Sequence, residues 1–362
     1  MSRRLLVVRL DSMGDVLICG PAIRAVATAA EHLTLLTGPL GEAAGRLLPG
    51  VDEVLAWNCP WIAQPAPAVS PAEITDLLGR LADRRFDEAV ILTSFHQSAL
   101  PTALLLRLAG VPRIVASSED YPGSLLDLRL PVAADAPEPE RMLATVRAAG
   151  FDLPAGDPGT LAVRLPAVTS GHRWVESQSP YLVVHPGTTA AARAYPAALW
   201  AEAVRLLAQA GWRVLVTGSA SECELVDGIV ATARAALDGD QGAAVLDLAG
   251  ALDLAGLARL LAGAEVALVA NTGPAHLAAA VGTPVVSLFS PVVPALRWAP
   301  YGVPVVLLGD QNAPCRDTRR TVCPTPGHPC LNKVNPSELV TAVQRLIRQQ
   351  TSAAPLTLAV SG

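Results

Sequence analysis

The sequence predicts an α/β protein built from two Rossmann-like halves, each a doubly wound parallel sheet. Three observations carry that reading. Short apolar runs alternate with helix-patterned stretches along nearly the whole chain, as a parallel sheet with crossover helices requires. The chain has 362 residues, enough for two ordinary domains. The alternation also pauses in a stretch rich in Gly, Pro and Ser, Gly150–Ser179, and then restarts. The boundary is placed near Gly171–Ser179, giving domains 1–175 and 176–335.

The first half opens with a β-rich run, Arg4–Leu10, followed by a polar turn, Asp11-Ser12-Met13-Gly14-Asp15. Val16–Ala30 is helical in pattern; Pro21 inside it either kinks the helix or marks its effective start. Strands are expected at His32–Leu36, Glu53–Ala56, Glu88–Thr93 and Arg113–Ala116, with helices at Gly41–Leu48, Pro71–Arg84, Leu100–Ala109 and Pro137–Ala149. Trp57–Pro71 reads as a proline- and aromatic-rich loop. In the second half, strands are expected at Tyr181–His185, Trp212–Thr217 and Val245–Asp247. Helices follow at Pro196–Ala210, Ser221–Ala236 and Leu254–Ala262. Asn312–Pro336 reads as an irregular loop holding three cysteines, Pro336–Gln350 as a closing helix, and 351–362 as a flexible tail.

Val266–Ser290 is the most informative stretch. Val266–Ala270 is of strand length, Asn271-Thr272-Gly273 turns the chain, and Pro274 sits where a first helical residue belongs. A short helix, His276–Val281, ends at Gly282, and Val285–Phe289 is the next buried strand. The helix N-terminus, with its free N–H groups, suits an anion such as a diphosphate. An ordinary crossover without a ligand explains the pattern equally well.

Other strand ends carry chemistry of the same kind. Asp15 lies past the first strand, placed for a general base or for a helix-dipole contact. Gly187, Thr188 and Thr189 offer donors to an anion, and Arg193 offers a guanidinium fork. Glu222 and Glu224 follow the strand ending at Thr217, where a carboxylate grips ribose hydroxyls or merely faces a helix dipole. Asp238-Gly239-Asp240 resembles a metal-holding pair but sits in a polar turn away from any strand end, so no metal is assigned. Cys315, Cys323, His328 and Cys330 lack the paired spacing of a zinc site.

Composition narrows the classes further. Hydrophobic residues make up 51% of the chain, charged residues 16%, and net charge is −5. No basic patch is visible, which argues against a nucleic-acid partner. Lys333 is the single lysine, which excludes most Schiff-base chemistry. No apolar run approaches the ~18 residues of a membrane helix, and the start is too short for a signal h-region. A soluble, cytoplasmic protein is expected. No GxGxxG follows a strand, and no P-loop or GxSxG is present.

The motifs together resemble a known family. Arg9-Leu10-Asp11-Ser12-Met13-Gly14-Asp15-Val16-Leu17 is similar to the N-terminal signature of the heptosyltransferase-type glycosyltransferases, family 9. HPGTTAAARAYPAALWAE resembles that family's central phosphate-binding segment, and NTGPAHLAAAVGTPVVSLFSP its nucleotide-sugar motif. Cys330-Leu331, followed by a helix from Pro336, also matches, so the likeness spans Arg4 to about Arg348. It implies a GT-B fold of two domains facing a cleft, and metal-independent, inverting transfer from a nucleotide-diphosphate sugar. The second domain would hold the donor, with an ADP-sugar favoured, ADP-heptose among the candidates, and no cofactor.

By position the resemblance implies Asp15 as the base that deprotonates an acceptor hydroxyl and Arg193 as the cation on the donor phosphates. Gly14, Gly187, Thr188, Thr189, Asn271, Thr272, Gly273, Pro274 and His276 would line the donor, with Glu222 or Glu224 at the ribose. Met13, His96 and Gln97 are acceptor-side candidates; the acceptor would be a glycan, glycolipid or small natural product. Trp57 and Trp61 are either acceptor contacts or packing residues. The helix Pro336–Gln350 would pack back on the N-terminal domain, and hinge closure would bring Asp15 to the sugar. Asn271 stands where many members carry an aspartate, which alters how sugar hydroxyls are held. Two other readings share the two-domain plan: a sugar-nucleotide epimerase, which needs more acid–base groups than Asp15, and a catalytically silent nucleotide-sugar binder.

Overall fold

The computed structural model describes residues 3–132, 135–165 and 179–353. The chain divides into two compact units, residues 1–167 with 296–302, and residues 168–295 with 303–362. Most of the expected boundary and the tail lie outside the described residues.

In the first unit six parallel strands, β1 (Arg4–Arg9), β2 (His32–Thr37), β3 (Glu53–Ala56), β4 (Glu88–Ile91), β5 (Ile114–Ser117) and β6 (Leu128–Leu130), pair in the order β3-β2-β1-β4-β5-β6. The second unit repeats the plan with β7 (Tyr181–His185), β8 (Arg213–Val216), β9 (Val245–Asp247), β10 (Val266–Ala270), β11 (Val285–Leu288) and β12 (Val305–Leu308). Their order is β12-β11-β10-β7-β8-β9, the same pattern counted from the other edge. Both sheets therefore reverse direction once, between β1 and β4 and between β7 and β10, and that is where open α/β sheets bind ligands.

The strands are apolar because both faces are covered. Leu6, Val7 and Val8 of β1 and Ala267, Leu268 and Val269 of β10 are fully buried. Register is fixed on both sides of each reversal, with Val8 opposite Ile91 and Val269 opposite His185. Strands β6 and β12, absent from the expected elements, are half-buried edges. β6 is three residues with a charged centre, LRL, whereas β12 is a four-residue apolar run, VVLL, too short to stand out from the loop around it.

Pro21 starts a helix rather than bending one. Met13–Ile18 and Gly20–Ala27 are separate helices joined at Cys19, with Pro21 in the first turn of the second. Proline lacks the N–H that would have bonded Leu17 across the junction. The break leaves Asp15 inside a first helical turn, directly after β1.

The closing helix differs from its expected place. Pro336–Ala353 belongs to the second unit, where Leu339, Ala342, Val343 and Leu346, at helical spacing, share a core with Trp200. That one apolar stripe is spent on the second unit's core. The segment assigned to the first unit is instead 296–302. There the Arg297 guanidinium meets Asp135 at 2.8 Å and Glu138 at 3.4 Å and lies 4.3 Å from the centre of the Phe95 ring.

Trp57 is core, with its ring edge-on to Trp61 at 5.2 Å. In the second unit Trp200, fully buried, meets Tyr195 edge-on at 5.3 Å. Replacing Trp200 by alanine removes the largest side chain of that core and should cost roughly 3–5 kcal/mol. Urea unfolding of Trp200→Ala would show it; an unchanged midpoint would mean the site collapses without a cavity.

Candidate functional site

Each sheet reversal gathers polar side chains. At the first, the Arg9 side chain at the end of β1 is fully buried. Its Nε lies 2.9 Å from Asp11 Oδ2, and its Nη2 lies 2.9 Å from Asp15 Oδ1 and 2.8 Å from Ser94 Oγ. Ser12 Oγ donates to the other Asp15 oxygen at 3.0 Å. Gln97, from the loop after β4, donates through Nε2 to Asp11 Oδ1 at 2.6 Å and accepts from the Ser94 N–H at 2.9 Å. The loops on either side of the reversal are thus bonded to one another around one cation.

The electrostatics follow from that burial. Desolvation disfavours the charged guanidinium of Arg9, but Asp11, then Cys19, Asp15 and Glu138, overcome it and hold it more firmly charged than usual. Burial raises Asp11 above the ordinary carboxylate range, with Arg9 opposing. Burial also pushes the Cys19 thiol up to about 12; its Sγ donates to the Asp15 carbonyl at 3.3 Å. The Asp15 carboxylate keeps about a quarter of its surface open and is fixed at both oxygens.

The second reversal is richer in donors. The loop after β7 carries Gly187, Thr188 and Thr189 and ends in the turn Ala191–Arg193. Thr188 Oγ1 accepts from the Ala190 N–H at 3.3 Å, shaping the loop, while Thr189 is exposed. Arg193 Nη1 donates to the Asn271 carbonyl at 3.4 Å and so reaches the loop after β10. The helix Gly273–Ala280 starts there, with Thr272 as its cap residue and Pro274 in its first turn. Asn271 and His276 are buried, and Asn271 Oδ1 has no hydrogen-bond partner among the described residues.

Glu222, after β8, completes this side. Its carboxylate closes a capping box with Ser219, accepting from the backbone N–H at 2.7 Å and from Oγ at 2.9 Å. It lies against Gly187, where a β-carbon would overlap it. It also comes within 3.8 Å of His185 Nε2. Thr217 Oγ1 donates to the Val184 carbonyl at 3.2 Å, so it accepts from His185 Nδ1 at 3.0 Å. Burial lowers the His185 proton affinity, and Glu222 opposes that.

Placed in the structure, the sequence candidates fall into three groups. Gly14 and Asp15 stand at the first reversal, with Met13 half-buried on the same turn. Gly187, Thr188, Arg193, Glu222, Asn271, Thr272, Gly273, Pro274 and His276 lie on three neighbouring loops at the second. Glu224 is exposed on the following helix, so of the two glutamates Glu222 is the one at the loops. Gln97 has its amide engaged by Asp11 and Ser94, and His96 is exposed with its ring on Phe95 at 5.4 Å. Asp238 caps the short helix Gly239–Ala243 by accepting from Gln241 N–H.

Arg9, Ser94 and Thr217 were not singled out from the sequence. An arginine at the end of a buried strand needs a carboxylate partner, so Arg9 before Asp11 carried a signal. Ser94 carried one only through its place in the Thr93–Ser98 stretch with His96 and Gln97, and Thr217 carried none.

Two outcomes are expected from this geometry. Gly187→Ala should push the Glu222 carboxylate off Ser219 and break the capping box, costing roughly 0.5–2 kcal/mol of stability; an unchanged urea midpoint would mean that the box contributes nothing. His185, whose folded proton affinity is lowered, should cost stability as pH falls below the ordinary imidazole range near ~6.5, because the unfolded chain then takes up a proton the folded chain refuses. Urea midpoints at about pH 7.5 and pH 5 should converge in His185→Gln.

A family model described as glycosyltransferase family 9 (heptosyltransferase) matches residues 74–327. The chain is 30% identical to lipopolysaccharide heptosyltransferase 1 of Pseudomonas aeruginosa, over 95% of this chain and 98% of that one. Among solved structures, the E. coli ADP-heptose lps heptosyltransferase II superposes with a TM-score of 0.70 at 21% identity, covering 96% of this chain and 99% of that one. The E. coli heptosyltransferase WaaC with ADP gives 0.64 at 19% identity, covering 96% and 98%. Two six-stranded parallel sheets with flanking helices make the α/β, GT-B-like plan these enzymes share. The chain belongs to glycosyltransferase family 9, and it is a glycosyltransferase.

Proposed function

We propose that the protein transfers a heptose from ADP-heptose to a hydroxyl of a glycan or glycolipid acceptor, with inversion and without a metal. The observation that carries this is the accessible Asp15 carboxylate held by Arg9 and Ser12 at the first sheet reversal, on a chain whose second reversal presents Arg193 and a helix N-terminus. The donor follows the relatives, one named for ADP-heptose and one for its ADP complex.

In this reading the acceptor oxygen attacks the anomeric carbon as its proton passes to Asp15. The bond from that carbon to the β-phosphate oxygen breaks, and the electron pair leaves with ADP. Negative charge then grows on the diphosphate, where Arg193 and the free N–H groups of Gly273–Ala280 stabilise it electrostatically. That cationic help takes the place of a divalent ion. Asn271, neutral where many members carry an aspartate, offers its open Oδ1 to a sugar hydroxyl. Glu222 serves the ribose. No helix among the described residues is long and apolar enough to cross a membrane. All six cysteines are free thiols, which supports a reducing, cytoplasmic setting.

Calorimetric titration with ADP, GDP, UDP and dTDP in EDTA tests the donor. Selective ADP binding is expected; preference for another nucleotide would discard ADP-heptose. Asp15→Asn should lower turnover by ~10²–10⁴ with little change in ADP affinity. Intact transfer by that variant would overturn the base assignment.

A further inference from the structure

We propose that Arg319, in the irregular loop before the closing helix, is a second diphosphate-binding cation that works as a pair with Arg193. This rests on the reading of the second reversal as the nucleotide-diphosphate site. Arg319 is outside every motif that pointed to that site.

The backbone places the two arginines together. Ala192 N–H, one residue before Arg193, donates to the Thr321 carbonyl at 2.9 Å. Its carbonyl lies 3.1 Å from His328 Nε2. Arg319 N–H donates to the Val292 carbonyl at 2.8 Å, and Asp317 N–H to the Pro291 carbonyl at 2.9 Å. Residues 317–321 are therefore laced both to the Arg193 turn and to the chain that follows β11. Asp317 and Arg319 both take left-handed backbone, φ 58° and 57°, a conformation costly for a side-chain-bearing residue and maintained here by those bonds. The buried thiols Cys315 and Cys330 anchor the loop in the second unit's core, and Thr318 Oγ1 donates to the Cys315 carbonyl at 2.7 Å.

The consequence is electrostatic. Arg319 is exposed at its loop, and desolvation, then the charge of Arg193, lower its proton affinity below that of an ordinary arginine. Like charges brought together by a braced loop repel. A multivalent anion between them reverses the sign of that interaction and takes bidentate bonds from each planar fork. Diphosphate fits this pair better than a monophosphate, since it offers two phosphoryl groups to two forks. Nearby Arg316 is paired with its neighbour Asp317 at 3.3 Å, and Arg320, exposed on the same loop, serves as a control.

The test is calorimetric titration of wild type, Arg319→Gln, Arg319→Lys, Arg320→Gln and Arg193→Gln with ADP, AMP and inorganic pyrophosphate. Arg319→Gln should weaken ADP and pyrophosphate about tenfold or more, while AMP changes less than about threefold. Arg319→Lys should recover part of the loss, and Arg320→Gln should stay within about twofold of wild type. Melting temperatures identify a variant that has lost its fold; the lysine variant then carries the comparison. ADP affinity unchanged in Arg319→Gln, or ADP and AMP weakened equally, overturns the pair. Wild type that binds pyrophosphate but not ADP overturns the donor reading alone, and pyrophosphate still measures the pair. Wild type that binds neither overturns both.

Discussion

A parallel sheet forces the chain to leave at one edge of every strand and return at the other. All strands then end on the same side, and their loops collect there. Where strand order reverses, the loops of two adjacent strands run in opposite directions and leave a crevice. Here the constraint acts twice, at β1/β4 and at β7/β10. Almost every polar side chain discussed for function is a neighbour of one of those two points. The apolar strands therefore settle where the chemistry is possible, although they take no part in it.

The two crevices use that opportunity differently. The first is organised by a single buried cation: Arg9 could not be left in the core without charge partners, and Asp11 and Asp15 supply them. The same bonds that make its burial tolerable hold Asp15 still. The second is organised by donors: a helix N-terminus, Arg193, and small residues that let side chains approach, Gly187 against Glu222 foremost. The first crevice thus fixes the orientation of a carboxylate, and the second gathers donors of the kind that bind anions.

The loop Asn312–Pro336 is where structure adds to the motifs. The spacing of its cysteines does not fit a zinc site, which leaves them as loop thiols. Cys315 and Cys330 are core residues, with thiols raised by burial, Cys330 to about 11. They act as small hydrophobes that tie an irregular segment to the sheet. The tie matters because it carries backbone that braces the Arg193 turn.

The sequence by itself determined the fold class and most elements, because buried parallel strands must be apolar and their helices must begin and end with recognisable residues. Pro274 and Gly282 around the short helix are examples. It also placed Asp15, Arg193 and Gly273 at strand ends, since that follows from chain order alone. Tertiary structure decided what chain order leaves open. The strand order put β1 beside β4, so that Ser94 and Gln97, remote in sequence, meet Arg9 and Asp11. It set Glu222, bound in a capping box, against Gly187 and left Glu224, two residues on, facing solvent. It assigned the closing helix to the second unit, where a single apolar stripe finds its core, and it tied an unpatterned loop to the Arg193 turn through the Ala192–Thr321 backbone hydrogen bond. Such contacts depend on distances across the fold, and no local periodicity encodes them.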